Sequence, residues 1–235
     1  MDRRQAWNVL AVGLACFIAM QLFTDFLSWL RAAPPPPPPQ VTREGGEYVV
    51  DVSWRFEGET YRTVVRVPAS AYEEYRSRVR IPPFDYASFV KADGVVQGLS
   101  QTLLRPTVGW SYIRKANYLM RFAQSFKYVT DKESVGRPDY PRYPVETLVD
   151  GCGDCEDKAI LFASLAKAAG MDVVLLLFPR EEHIATGLAV PSADGMAVYT
   201  VGGRLYAYCE TSSPGWEVGE RPSSITSSPW VVPLG

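Results

Sequence analysis

Residues 150–178 read DGCGDCEDKAILFASLAKAAGMDVVLLLF, and the fold class turns on this stretch. Asp154 stands where a helix N-cap belongs, and Glu156 and Asp157 fill the first turn, where acids favour the helix dipole. Gly170 supplies the C-terminal stop. The middle, Ala159 to Ala166, is apolar on nearly every face, so the pattern predicts a buried central helix over Cys155–Ala169. Val173–Phe178 follows as an apolar run of strand length. His183–Val190, Ala197–Val201 and Leu205–Glu210 are strand-like as well. The tail from Thr211 is rich in Ser and Pro and is expected to wrap the surface, pinned by Trp216 and Trp230.

Upstream, Glu47–Phe56 and Thr60–Val67 alternate as strands, with Glu57-Gly58-Glu59 as the turn of a hairpin. Ala69–Val79 reads as a helix broken by Pro82-Pro83. Phe84–Tyr128 is helical, clearest over Ser111–Lys127, where Ile113, Ala116, Leu119, Met120 and Ala123 recur at helical spacing. Val135–Pro144 holds three prolines and a glycine and reads as a loop.

The chain has 235 residues, of which 47% are hydrophobic and 21% charged, enough to bury a core. A net charge of −2 removes the broad basic field of a nucleic-acid binder. Four cysteines are too few for a disulfide-stapled miniprotein, and with one histidine any imidazole chemistry runs through His183. Ala6–Thr24 carries no charge and nearly spans a bilayer core; Trp7 and Trp29 bracket the segment as interfacial aromatics. A cleaved signal peptide is the alternative, but the span is long for one and the prolines after Ala32-Ala33 suit cleavage poorly. Arg3 and Arg4 precede the span and Arg31 follows it. The positive-inside rule then puts the N-terminus in the cytoplasm and the body outside. Pro34–Pro39 forms a polyproline spacer. The expected organisation is a cytoplasmic end at 1–5, an anchor at 6–30 and a spacer at 31–46. A hairpin and helical region at 47–110 and a catalytic core with its tail at 111–235 complete it.

Cys155, His183 and Glu210 carry the chemistry. Cys155 opens the buried helix, whose N-terminus is expected to lower the thiol pKa. His183 begins a strand and can take the thiol proton; Glu210 ends a strand and can hold the imidazole in one tautomer. A thiol, a base and an orienting acid are what acyl transfer from an amide needs. A plain meander of the last strands would separate His183 from Glu210. The triad therefore requires Leu205–Glu210 to lie antiparallel beside the His183 strand, with Ala197–Val201 set aside or absorbed at Gly202-Gly203.

The run Tyr143–Phe178, YPVETLVDGCGDCEDKAILFASLAKAAGMDVVLLLF, resembles the transglutaminase-like cysteine-hydrolase superfamily. GDCEDKA supplies Gly153, Cys155 and Asp157, HIATGLAV supplies His183, and YAYCETS supplies Glu210, in the order Cys, His, acid. The likeness covers residues 110 to 222 and is nearest to prokaryotic membrane-anchored members with a GDCED core. It implies an α+β fold of papain-like type, a central helix packed on an antiparallel sheet. It implies a protease or amidase, or a transglutaminase if an amine takes the acyl group, acting on a protein or peptide without an organic cofactor. Glu210 departs from the family's usual Asp and is one methylene longer, so either the strand register differs slightly or the imidazole is held less tightly. Asp154 and Glu156 match an acid-Cys-acid motif that binds calcium in some bacterial relatives. Gln124 and the backbone amide of Cys155 are candidate oxyanion donors, and Asp157 is either a dipole partner or a substrate contact.

Three other readings fit parts of this pattern. Cys152 and Cys155 form a CxxC before a helix, as in thioredoxin-type redox proteins, but this leaves His183 and Glu210 without roles. Cys152, Cys155, His183 and Cys209 make a Cys₃His zinc set, although Cys209 and Glu210 point to opposite faces of one strand. A hydrolase fold used only for binding or assembly is the third. A Cys152–Cys209 disulfide is open outside the cytoplasm.

Overall fold

A three-stranded antiparallel sheet opens the chain in the computed structural model, which describes residues 36–92 and 94–235. The expected anchor, residues 6–30, lies outside the described residues; among those described, no helix is long and apolar enough to cross a membrane. Strands β1 (Gln40–Glu44), β2 (Glu47–Phe56) and β3 (Glu59–Pro68) pair in that order. Glu57 and Gly58, both at positive φ, make the two-residue turn that joins β2 to β3, with Phe56 opposite Glu59. Residues 40–44, read above as spacer, are thus part of the sheet. Val50, Val52, Trp54 and Phe56 alternate inward along β2.

Helices α1 (Ala69–Ser77), α2 (Gly94–Leu104) and α3 (Tyr112–Gln124) follow, with short 3₁₀ turns at Tyr86–Phe89 and Arg105–Thr107. Helix α3 starts one residue later than its N-cap Ser111, whose side chain accepts from the Arg114 N–H. Its buried face meets β2: the Trp54 ring sits edge-on to Phe122 at 5.2 Å and against Tyr118 at 5.4 Å. One core therefore runs through residues on both sides of position 110.

The short strands β4 (Lys127–Tyr128) and β5 (Cys152–Gly153) pair in parallel, and between them lie α4 (Asp131–Ser134) and α5 (Pro144–Asp150). Helix α5 was not foreseen. Pro144 reads as a breaker, yet at the first helical position its missing N–H costs nothing. Gly151 ends α5 in the left-handed region at φ +67°, which turns the chain back into β5.

The buried helix expected at Cys155 is α6 (Cys155–Ala168), and every residue from Cys155 to Ala166 is buried. It packs against α2 and α3 on one side and against β6 (Val173–Phe178) and β7 (His183–Val190) on the other. Each Leu or Phe it buries stabilises the fold by about 1.5–3 kcal/mol. With β8 (Val198–Val201), β9 (Arg204–Cys209) and β10 (Trp230–Pro233), the second sheet has the order β10-β6-β7-β9-β8, antiparallel throughout. The strand order is the one required above: β9 lies beside β7, with Thr186 opposite Cys209 and Val190 opposite Leu205, and β8 stands outside on β9. Because the two strands run oppositely, the start of β7 and the end of β9 meet at one end of the sheet. The tail differs from expectation. Residues 230–233 add an edge strand to β6, and Trp230 is exposed rather than a buried pin; Trp216 is half-buried. The fold is α+β, with antiparallel sheets and a central helix.

Candidate active site

The site forms where the N-terminus of α6 faces the open end of β7 and β9. Asp154 caps the helix, and its backbone N–H donates to Asp157 Oδ2 at 3.3 Å. Gly153 is required just before it: a Cβ there would lie 2.5 Å from the Asp157 Cβ. Cys155 is thereby fixed as the first helical residue. It lines a cleft of about 510 Å³ together with His183, Glu182, Asp154, Glu156, Tyr86 and Trp230 among others.

His183 Nε2 lies 3.1 Å from Glu210 Oε2 and 3.1 Å from the Tyr208 hydroxyl. Nδ1 has no hydrogen-bond partner among the described residues. Glu210 follows the last residue of β9 and is 2% exposed. Its Oε2 also accepts from the Tyr208 hydroxyl at 2.8 Å, and its Oε1 accepts from the Ser212 N–H at 2.8 Å. Burial works to raise this carboxyl. The hydrogen bond and charge of His183, with the bonds from Ser212, outweigh it and hold the group at about 2. An ionised Glu210 selects the His183 tautomer that carries its proton on Nε2, leaving the Nδ1 lone pair free to act as a base.

The thiol side has the opposite character. Burial, then the charges of Glu156 and Asp154, push the Cys155 thiol up from its ordinary value. The thiol donates to Glu156 Oε2 at 3.2 Å and does not bond the imidazole. This corrects the expectation of a lowered thiol pKa: burial first, and then the two acids at the helix end, outweigh the dipole there. Burial also raises both the Asp154 and Glu156 carboxyls, each of which feels the other's or a neighbour's negative charge.

Two other candidates take supporting positions. Gln124 is 2% exposed, does not line the cleft, and spends its amide N–H groups on the carbonyls of Glu210 (2.7 Å) and Trp216 (3.1 Å). It holds the Glu210 loop from behind instead of donating to an oxyanion. Asp157 is fully buried and accepts from the Arg142 backbone N–H at 2.6 Å and from the Arg142 guanidinium, so it makes no substrate contact. Three N–H donors around one carboxyl favour its ionised form against the burial that raises its pKa.

Several supporting residues were not foreseen. Arg142 is buried and bridges Asp131, Asp150 and Asp157 beneath the site. Lys158, one turn along from Cys155, donates to the carbonyls of Phe126 (2.8 Å), Ser212 (2.8 Å) and Gln124 (3.3 Å), tying α6 to the Glu210 loop. A buried cation leaves no sequence signal distinct from a surface one; for Lys158 the clue is its place inside an otherwise apolar helix.

Asp131 joins Asp154 and Glu156 in a group whose carboxylate oxygens lie within 4.8 Å of one another. Among the described residues Asp154 Oδ1 is buried without a hydrogen-bond partner, which suits a hard cation that takes oxygen ligands, whereas both Asp131 oxygens already accept, from the Arg142 guanidinium and the Tyr140 N–H. No other metal-ligating group of three or more occurs among the described residues, so Cys152, Cys155, His183 and Cys209 do not gather as a zinc set. Cys152, Cys155 and Cys209 are free thiols, so the Cys152–Cys209 disulfide is not formed. A comparison of the chain with protein-family models and with the curated proteins gave no match.

Proposed function

We propose that this chain is a thiol hydrolase with a papain-like, transglutaminase-like core, cleaving a peptide or glutamine carboxamide through Cys155, His183 and Glu210. The observation that carries the reading is the imidazole of His183. Its Nε2 is held by the buried carboxylate of Glu210, its Nδ1 has no partner among the described residues, and the residue lines the cleft that holds Cys155. In the reaction, Nδ1 takes the thiol proton and the sulfur attacks the carbonyl carbon. The backbone N–H of Cys155 is the candidate donor to the oxyanion. Collapse breaks the C–N bond, and the imidazolium returns the proton to the leaving amine. Water then cleaves the thioester, with His183 again as base. An amine in place of water would give transamidation; water is always present, so hydrolysis is the reading. The span over residues 6–30, uncharged from Ala6 to Thr24, anchors the chain in a membrane with this body on the extracytoplasmic side.

Calcium would be held by Asp131, Asp154 and Glu156, and its charge would neutralise the acids that oppose ionisation of Cys155. A second reading, a silent binding module on the same fold, is favoured by the thiol's bond to Glu156 instead of the imidazole. Labelling with a thiol-directed amide-mimic probe, followed by peptide mapping, decides between them. Modification of Cys155 that is lost in His183→Ala supports the hydrolase. No modification with or without calcium supports the binding module.

A further inference from the structure

We infer that Tyr208 is a positioning residue that adapts this site to a glutamate as its third member, setting the tautomer of His183 through Glu210; the inference rests on the triad proposed above. A glutamate side chain has one more rotatable bond than an aspartate, so two ends must be fixed for its carboxylate to hold an imidazole steadily. The structure supplies both. The Ser212 N–H fixes Oε1 at 2.8 Å and the Tyr208 hydroxyl fixes Oε2 at 2.8 Å. Tyr208 is wholly buried, and the Phe178 ring packs against it at 5.9 Å between centroids.

The same hydroxyl lies 3.1 Å from His183 Nε2, so the direction of its proton matters. A hydroxyl has one proton to give and lone pairs to accept with. If Tyr208 donated to Nε2, the imidazole would carry its proton on Nδ1 and could not take one from Cys155. Donation to Glu210 Oε2 leaves the phenol oxygen as a second acceptor for the Nε2 proton. The carboxylate is the stronger acceptor, and the shorter bond goes to it. Tyr208 and Glu210 therefore act on Nε2 together, one through the other, and the Nδ1 lone pair is kept for the thiol.

His183 is the only histidine in the chain, so its imidazole nitrogens can be followed without assignment ambiguity in ¹⁵N-histidine protein. The test compares wild type, Tyr208→Phe, Glu210→Gln and the double variant. It reads the ¹⁵N shifts of His183 and, separately, the rate of alkylation of Cys155 by iodoacetamide. Wild type should show the proton on Nε2. Tyr208→Phe should mix the two tautomers and slow alkylation about tenfold. In the Glu210→Gln background the carboxylate that the hydroxyl supports is gone and the tyrosine is free to donate to Nε2 itself, so adding Tyr208→Phe should slow alkylation no further. Unchanged tautomer and rate in a folded Tyr208→Phe protein would overturn the inference. So would a full tenfold loss in both backgrounds. Should Tyr208→Phe fail to fold, Glu210→Gln alone must move the proton off Nε2, since the tyrosine is then free to donate there; an unmoved proton overturns the inference. A tautomer that responds as expected, with a Cys155 inert in wild type, overturns the hydrolase reading while leaving this one standing.

Discussion

Two acidic regions belong to the site, and both are buried: Glu210 behind His183 on the sheet, and Asp154 with Glu156 on the cleft wall at the start of α6. On the sheet side, Glu210 receives bonds from His183, Tyr208 and Ser212 and is held ionised. On the helix side, Asp154 keeps an oxygen with no partner, and both Asp154 and Glu156 are pushed towards their protonated forms. The difference lies in the donors each side supplies. A carboxylate out of water is stable where N–H and O–H groups converge on it, and costly where other carboxylates do. The sheet side is complete as it stands. The helix side gathers carboxyls against one another, with fewer donors to hold them ionised.

The largest effect expected is on the nucleophile. Cys155→Ala and His183→Ala should each lower turnover or probe labelling by at least about 10³-fold, and the double variant should be little worse than either. Single-turnover rates check this; labelling that survives His183→Ala breaks the comparison at its centre. Beneath both regions, Arg142→Met should destabilise the protein by about 3–5 kcal/mol, because Asp131, Asp150 and Asp157 lose their shared cation inside the fold. Urea unfolding gives the value.

The two sides should respond to pH in opposite senses. The folded-state Glu210 carboxyl at about 2 lies below its unfolded value near 4.3. The stability it contributes, on the order of 3 kcal/mol, is therefore present above about pH 4.5 and is lost as pH falls through about 2. Unfolding curves at pH 6 and pH 3 should differ less for Glu210→Gln than for wild type. Asp154 is raised in the folded state, so its cost is absent at low pH and grows as pH rises above its unfolded value. Asp154→Asn should stabilise the calcium-free protein by about 1 kcal/mol at pH 8. Calcium at a hundredfold excess over its Kd should stabilise wild type by about 2.7 kcal/mol, and Asp131→Asn should remove that gain. A melting temperature unmoved by calcium would leave the helix side as a plain acidic wall. The smallest effect belongs to Cys152→Ala, expected within about twofold in turnover, because the half-buried loop thiol has no part in the proposed chemistry. A large loss there would restore the CxxC reading.

What the sequence reveals and conceals follows from the range of each interaction. The start of α6, its cap and its apolar body are local patterns, and they are legible at Asp154, Cys155 and Ala159–Ala166. The placement of β9 beside β7 is not local, yet it follows from requiring His183 and Glu210 to meet, and the observed order satisfies that requirement. Arg142, Lys158 and Asp131 were missed because a charged residue in a sequence carries no mark of the partners that let it be buried. Gln124 was found but given the wrong partner: its spacing places it on the buried face of α3, and only the path of the loop at 210–216 shows that backbone carbonyls wait for it. Helix α5 and strand β10 were hidden by prolines at 144 and 233, which terminate patterns in a reading by periodicity but sit at tolerated end positions in the fold.

The proposed nucleophile rides on a helix, whereas its base and the acid behind it ride on two strands of the sheet that helix covers. All three groups fall within residues 155–210, but on three separate elements that must pack before they meet. During folding, the thiol and the imidazole come into register only when α6 docks on β6 and β7. A partly folded chain would carry the reactive groups without their geometry. Iodoacetamide added at intervals during refolding should distinguish the two conditions, an exposed and indifferent Cys155 early and a His183-dependent one after docking. The timing of that change would place helix–sheet closure on the folding pathway, with the chemistry of the site itself as the clock.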